Sequence, residues 1–302
     1  MLIEHVDAVI DLRRFKAMET GLLPGRGNRV LTNFRETDNA EGADPGSRLH
    51  WANDLNLRVL ASGEQTDLLL WMGNAAFESR NQQTLRSIVQ LLRRAQVDFA
   101  VLGEAERDCG DLARRLGEEA EFQRLASLNI AALRARKFRR ILTVDPHVLH
   151  CLRNEYPALG GQFEVVHHSA LLLELVREGR LRAPSINRGV LTYHDPCYLA
   201  RYNGEVDAPR QLLEATGFSI VEMQRSGRKS SCCGGGGGLP VTDIAGKRRI
   251  ADVRMDHVRE TGARTLVVGC PGCMNMLDAV SGPRPVVRDL ADVVMEAVLH
   301  DA

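Results

Sequence analysis

Five cysteines fall between positions 197 and 273: Cys197, the adjacent pair Cys232 and Cys233, and a CxxC made by Cys270 and Cys273. Thirty-four residues separate Cys197 from Cys232, and 36 separate Cys233 from Cys270. Thiolates are soft, anionic donors that suit iron–sulfur clusters. The pair runs directly into five glycines, 234–238. Glycine lets the backbone approach a cluster closely and offers N–H donors to sulfur in conformations that a Cβ forbids, so Gly234, Gly235 and Gly236 are the candidate cofactor-contacting positions. Two other chemistries compete. A phosphate-binding loop needs a lysine and Ser/Thr directly after its glycines, and here the lysine is delayed to Lys247. Structural zinc needs four thiolates, leaving the fifth without a task; it remains the alternative. Packing alone rarely yields a CC pair and a CxxC together.

Thiols this far apart in sequence must be gathered by the fold. "RGVLTYHDP" (188–196), "FSIVEM" (218–223) and "ARTLVVG" (263–269) read as strands, and "APRQLLEATG" (208–217) and "IADVRMDHVRETG" (250–262) as helices. Each cysteine or pair follows one of these strands. Strand ends of an open parallel sheet gather at one edge, where ligand sites form. The same alternation occurs earlier: strands at 66–73, 97–103 and 139–144, a helix at 82–96, and another marked by Phe122, Leu125, Ile130 and Leu133. The expected fold is α/β, with two tandem pseudo-repeated modules built on mainly parallel sheets, at 63–184 and 185–302. Residues 1–62 form a helical N-terminal appendage without a core of its own. In it, Ile3, Val6, Val9, Ile10 and Phe15 mark an amphipathic helix, "GLLPGRGN" (21–28) breaks it, and a short helix around Val30, Leu31 and Phe34 runs into a polar loop at 37–47.

The 302 residues carry a formal net charge of zero and 44% hydrophobic residues, a soluble globular composition that asks for neither nucleic acid nor an anionic membrane. The basic run "RARKFRR" (134–140) has no stacking aromatics typical of single-strand binding and reads as a solvated helix end. No apolar run is long enough to span a bilayer, and the N-terminus lacks a signal-peptide layout. Seven cysteines without an export signal favour metal binding over a disulfide framework, in a cytoplasmic setting.

Laid over the second module, the first places Asn74, Asp108, Cys109, Asp145 and Val148 at the five cysteine positions, at offsets of 123, 124, 124, 125 and 125. One thiol of five remains, which cannot hold a four-iron cluster. Asp108, Asp145, His147 and Cys109 would be the donors of an alternative, harder mixed-ligand site; the better reading is a module that keeps fold and docking surface without a cofactor. Cys151 reads as core, while His167 and His168 fit the cleft between modules, the core or the surface equally.

The cysteine spacing, with "DPCYLARYN" (195–203) and "GCPGCMNML" (269–277), resembles the cysteine-rich CCG domain of heterodisulfide reductase B-type subunits and related iron–sulfur oxidoreductases. That resemblance implies that Cys197, Cys232, Cys233, Cys270 and Cys273 are ligands of a [4Fe-4S] cluster, non-cubane in some members, others holding zinc. "IEHVDAVIDLRR" (3–14), "DCGDLARRLG" (108–117), "DPHVLHCLRNEYP" (145–157) and "CCGGGGGLPVTDIAGKRRIADVRM" (232–255) are similar to the iron–sulfur proteins of bacterial dimethylglycine catabolism. The resemblance then implies a subunit that passes electrons from a flavin amine dehydrogenase to electron-transfer flavoprotein or a quinone-linked carrier. A zinc-stabilised scaffold anchoring a flavoprotein is the alternative. Longer relatives carry membrane helices and a ferredoxin-like segment upstream. The chain accordingly resembles their C-terminal part, with membrane contact, at the inner face, only through a partner or that missing region.

Overall fold

The computed structural model describes residues 5–21, 23–184, 186–242 and 246–299. Helices α1 (Val6–Thr20) and α2 (Gly27–Thr37) and a 3-10 segment, Pro45–Ala52, lead into the first sheet. The amphipathic reading of α1 is corrected. Ile10 and Ala17 are buried, whereas Val6, Val9, Leu12, Phe15 and Met18 are exposed; Ile3 lies outside the described residues. The rest of the leading segment is not loosely attached. Phe34 and Leu60 are fully buried within the core of the first module, and Trp51 and Leu55 join the core shared with the second.

The first module runs β1 (Gln65–Trp71), α3 (Ser79–Arg94), β2 (Phe99–Val101), α4 (Asp111–Leu116), α5 (Glu119–Arg134), β3 (Lys137–Thr143), α6 (Pro146–His150), β4 (Val165–His167) and α7 (His168–Arg177). The second runs β5 (Val190–His194), α8 (Asp207–Ala215), β6 (Ser219–Ile220), α9 (Leu239–Thr242), α10 (Ile250–Glu260), β7 (Thr265–Val268), α11 (Pro271–Asp278), β8 (Val286–Asp289) and α12 (Leu290–Leu299). Strand orders are β2-β1-β3-β4 and β6-β5-β7-β8, and every pairing is parallel. The tandem α/β repeat is therefore visible in topology as well as in spacing. Strand β6 is shorter than 218–223, and β4 and β8 are additional edge strands.

A parallel sheet needs both faces covered, and each module supplies cover for the other. Leu85, Ile88 and Leu92 of α3 share one core with Leu290, Val294 and Val298 of α12 and with Tyr193 and Val267 of the second sheet. Polar contacts fix the same seam: Ser87 Oγ donates to Asp292 at 2.6 Å. In each sheet the strand order reverses direction between the first and third strands. Ligand sites of open α/β sheets form at such a switch point. None of the described helices is long and apolar enough to cross a membrane.

Candidate metal centre

The second switch point lies between β5 and β7, and all five cysteines collect there. Strand β5 ends at His194, and Cys197 follows through Asp195 and Pro196. Cys270 is the N-cap of α11, with Pro271 pre-set for the first helical position; its Sγ accepts the N–H of Cys273 at 3.5 Å. One helix end thus presents both CxxC sulfurs. The loop after β6 delivers the CC pair, and buried Asp195 anchors it. Its carboxylate takes a bidentate bond from Arg210 at 2.7 and 3.0 Å and the Gly227 N–H at 2.7 Å.

All five thiols are free, and Cys233, Cys270 and Cys273 are buried. Hydrogen-bonding contacts link them as a chain: Cys197 to Cys232, Cys232 to Cys233, Cys233 to Cys273, and Cys273 to Cys270. Hydrogen bonds from neighbouring thiols hold Cys232 and Cys270 well below the ordinary thiol range. Donation to those neighbours, with burial, holds Cys197, Cys233 and Cys273 above it. Gly234 N–H donates to the Cys232 sulfur at 3.2 Å and Gly235 N–H to the Cys233 sulfur at 3.3 Å. Gly234 has φ +88, and a Cβ on Gly235 would stand 3.2 Å from the Gly272 carbonyl and 3.3 Å from the Cys233 sulfur. Gly236 instead faces Tyr198, His147 and Cys197. Soft donors in surplus of zinc's four, with amide N–H groups on their sulfurs, fit an iron–sulfur group.

The first switch point carries the counterparts. Asn74 Nδ2 donates to Asp108 Oδ2 at 2.9 Å, Gly110 N–H to Asp108 Oδ1 at 2.7 Å, and His147 N–H to Asp145 Oδ1 at 2.9 Å. Burial pushes the Asp145 carboxyl up to about 7 and also raises Asp108. The mixed set of Asp108, Asp145, His147 and Cys109 does not assemble as one site. Asp145 and His147 instead group with Cys270 of the second module, their donor atoms within 4.8 Å of one another. Cys109 instead accepts a hydrogen bond from the Cys151 thiol in the first core. A cavity of ≈ 260 Å³ separates the two sites, lined by Asn74, Asp108 and Asp145 on one side and by Gly235, Pro271 and Gly272 on the other.

His147 is held from several directions. Its Nδ1 is 2.7 Å from Asp111 Oδ2, its ring stacks on Tyr198 at 3.9 Å, and it lies within hydrogen-bonding reach of Cys270. Burial opposes ionisation of Asp111, but His147 and Arg115 together hold its carboxyl well below the usual range. Of the undecided histidines, both are fully buried, and His167 Nε2 reaches across to the Gly269 carbonyl at 3.1 Å, next to Cys270. Missed from the sequence are His194 and Arg254. His194 groups with Cys233 and Cys273 within 4.8 Å. Burial, reinforced by Arg254, pushes its imidazole down to about 3, so it is neutral. The signal was its place three residues before Cys197 at the end of a buried strand; Arg254 in an apparently amphipathic helix carried none.

Known proteins are similar to this chain in sequence. The profile of the CCG cysteine-rich domain matches residues 70–153 and 191–278, one copy on each module. A "probable membrane-anchored ferredoxin" of Chromohalobacter salexigens is 52% identical over 99% of this chain and 46% of its own length. An "EtfAB:quinone oxidoreductase" of Syntrophomonas wolfei is 35% identical over 99% of this chain and 44% of its own. One polypeptide of the dihydromethanophenazine:CoB–CoM heterodisulfide reductase of Methanosarcina mazei is 30% identical over 94% of this chain and 71% of its own. The chain spans about half the length of the first two. A Helicobacter pylori protein of undescribed role shares the fold alone, with TM-score 0.56 at 12% identity over 82% of this chain and 53% of its own. With both modules matched by one family and the cysteines gathered at the second, the chain belongs to the CCG cysteine-rich-domain family.

Proposed function

We propose that this chain is the iron–sulfur electron-transfer unit of an oxidoreductase. It holds one [4Fe-4S] cluster, cubane or non-cubane, on Cys197, Cys232, Cys233, Cys270 and Cys273. The observation that carries this reading is the unbroken chain of five free thiols, two of them receiving N–H bonds from the glycine loop. Such a cluster, when bound, accepts and releases single electrons. The protein's part is to bury the ligands, set donors around the sulfurs and bring a partner's redox centre close. Electrons pass from a flavin amine dehydrogenase of the dimethylglycine type to electron-transfer flavoprotein or a quinone-linked carrier. Support for the flavoprotein side comes from the relative named for EtfAB and quinone, and for the amine side from the sequence resemblance. The reading puts the chain in the cytoplasm, reaching a membrane through a partner or a further segment.

The test is anaerobic isolation, reduction of the chain, and mixing with oxidised electron-transfer flavoprotein. A visible absorption band that bleaches on reduction and recovers on mixing is the expected result. One equivalent of zinc, with no visible absorption and no reducible paramagnetic signal, overturns it in favour of a zinc-stabilised scaffold.

A further inference from the structure

His194 is 1% exposed, in a region with little room for an unsatisfied polar atom. Its Nδ1 receives a hydrogen bond from Arg254 Nε at 3.0 Å. A guanidinium has donors and no acceptor, so Nδ1 must offer its lone pair and the ring proton must sit on Nε2. That nitrogen is buried and without a hydrogen-bond partner among the described residues. The ring lies against the cage: a ring nitrogen and the sulfurs of Cys233 and Cys273 fall within 4.8 Å of one another. An orphaned N–H donor beside a set of thiols is costly, unless the site fills with something that accepts a hydrogen bond.

Arg254 is itself 0% exposed, and its position is over-determined. Its other guanidinium nitrogens donate to the Arg225 carbonyl at 2.9 Å and to Ser230 Oγ at 3.3 Å. Ser230 lies two residues before Cys232, so one side chain spans helix α10, the loop carrying the CC pair and the end of β5.

We infer that His194 Nε2–H is a hydrogen-bond donor to a sulfur of the bound cluster, with Arg254 as the positioning residue that fixes its tautomer. This rests on the proposed cluster reading and adds a residue that tunes it. A protonated Nε2 cannot also coordinate iron, so His194 is a donor and not a sixth ligand. Donation to sulfur favours the more negative, reduced state and raises the reduction potential.

The experiment is a redox titration followed by electron paramagnetic resonance on the anaerobically isolated chain and its His194→Ala and His194→Gln variants, with iron and sulfide counted in each. In His194→Ala with its cluster retained, the one-electron equilibrium should shift about tenfold toward the oxidised state, a potential lower by ~59 mV. His194→Gln, which keeps an N–H, should fall between the two. An unchanged potential in a cluster-bearing His194→Ala variant overturns the inference and leaves the cluster reading intact. Wild-type protein free of iron and sulfide instead overturns the cluster reading and this inference with it. Should the variants not fold, 15N-histidine labelling of the wild-type chain decides. Double-resonance spectra should show a weak nitrogen coupling with a deuterium-exchangeable proton. A strong coupling typical of coordinated nitrogen, or none, contradicts the inference.

Discussion

The two switch points use the same backbone with different acceptors. In the second module, the sulfurs of Cys232 and Cys233 accept the N–H groups of Gly234 and Gly235, and Cys270 caps α11 by accepting from Cys273. In the first, Asp108 accepts from Gly110, Cys109 from Asp111, and Asp145 caps α6 by accepting from His147. The glycine after each pair has nearly the same left-handed backbone, φ +84 at Gly110 and φ +88 at Gly234. Even the contact between Cys197 and Cys232 has a counterpart, in the bond from Asn74 to Asp108. Aspartate and asparagine thus replace cysteine where an acceptor or short polar side chain satisfies the turn. Those oxygens sit closer to their donors, 2.7 and 2.9 Å against 3.2 and 3.5 Å, as expected for oxygen against sulfur. The hydrogen-bonding scaffold of the second site recurs there with one thiol of the five. What the first module retains is the cover of a shared core and residues such as His147 and His167 that reach the second site.

The two sites should differ most at their cysteines. Cys273→Ser should abolish iron binding, whereas Cys109→Ser, at the counterpart of Cys233, should leave the iron content of the protein unchanged. Metal analysis of both variants checks the pair, and equal losses would mean that the first site also binds metal.

A smaller effect lies at the seam between the modules. Burial, with help from Asp289, pushes the Asp292 carboxyl up to about 6, while an unfolded aspartate titrates near ~3.9. The folded state therefore holds this proton more tightly. Its stabilising contribution is complete below pH ~4 and lost as pH rises to about 6, up to ~3 kcal/mol. In Asp292→Asn the decline in urea-unfolding free energy over that range should shrink; an unaltered pH profile would detach Asp292 from it.

The smallest effect separates the two glycines. A Cβ at Gly110 would stand 2.8 Å from Phe122 Cδ2, while one at Gly234 would meet Ile250 Cβ at 3.2 Å. Both backbones disfavour an L side chain, at ~1–3 kcal/mol. Gly110→Ala should therefore lower metal-free stability more than Gly234→Ala, as read from urea midpoints. The reverse order would show that the first turn is the looser one.

Much of this was legible in the sequence because strand ends and cysteines obey local rules. The runs at 66–73 and 139–144 overlap β1 (Gln65–Trp71) and β3 (Lys137–Thr143), and offsets of 123 to 125 relate the two modules. Strands β4 and β8 were not legible, because Val165–His167 and Val286–Asp289 pass directly into α7 and α12 with no turn residue between. Strand β6 ends early, as exposed Val221 lies beyond its two paired residues. Exposed apolar residues on α1 broke the periodicity argument, since its packing is set by few buried positions. Among the neighbours of the site, Arg254 and Asp111 depend on tertiary approach and have no spacing to read, whereas His194 is marked only by its place three residues before Cys197.

Confinement of cluster chemistry to the second module is decided by the amounts of iron, sulfide and zinc per chain in anaerobically isolated protein. A single [4Fe-4S] complement per chain, lost in Cys233→Ser, is the predicted result. Two cluster complements per chain, or zinc in place of iron, would contradict it.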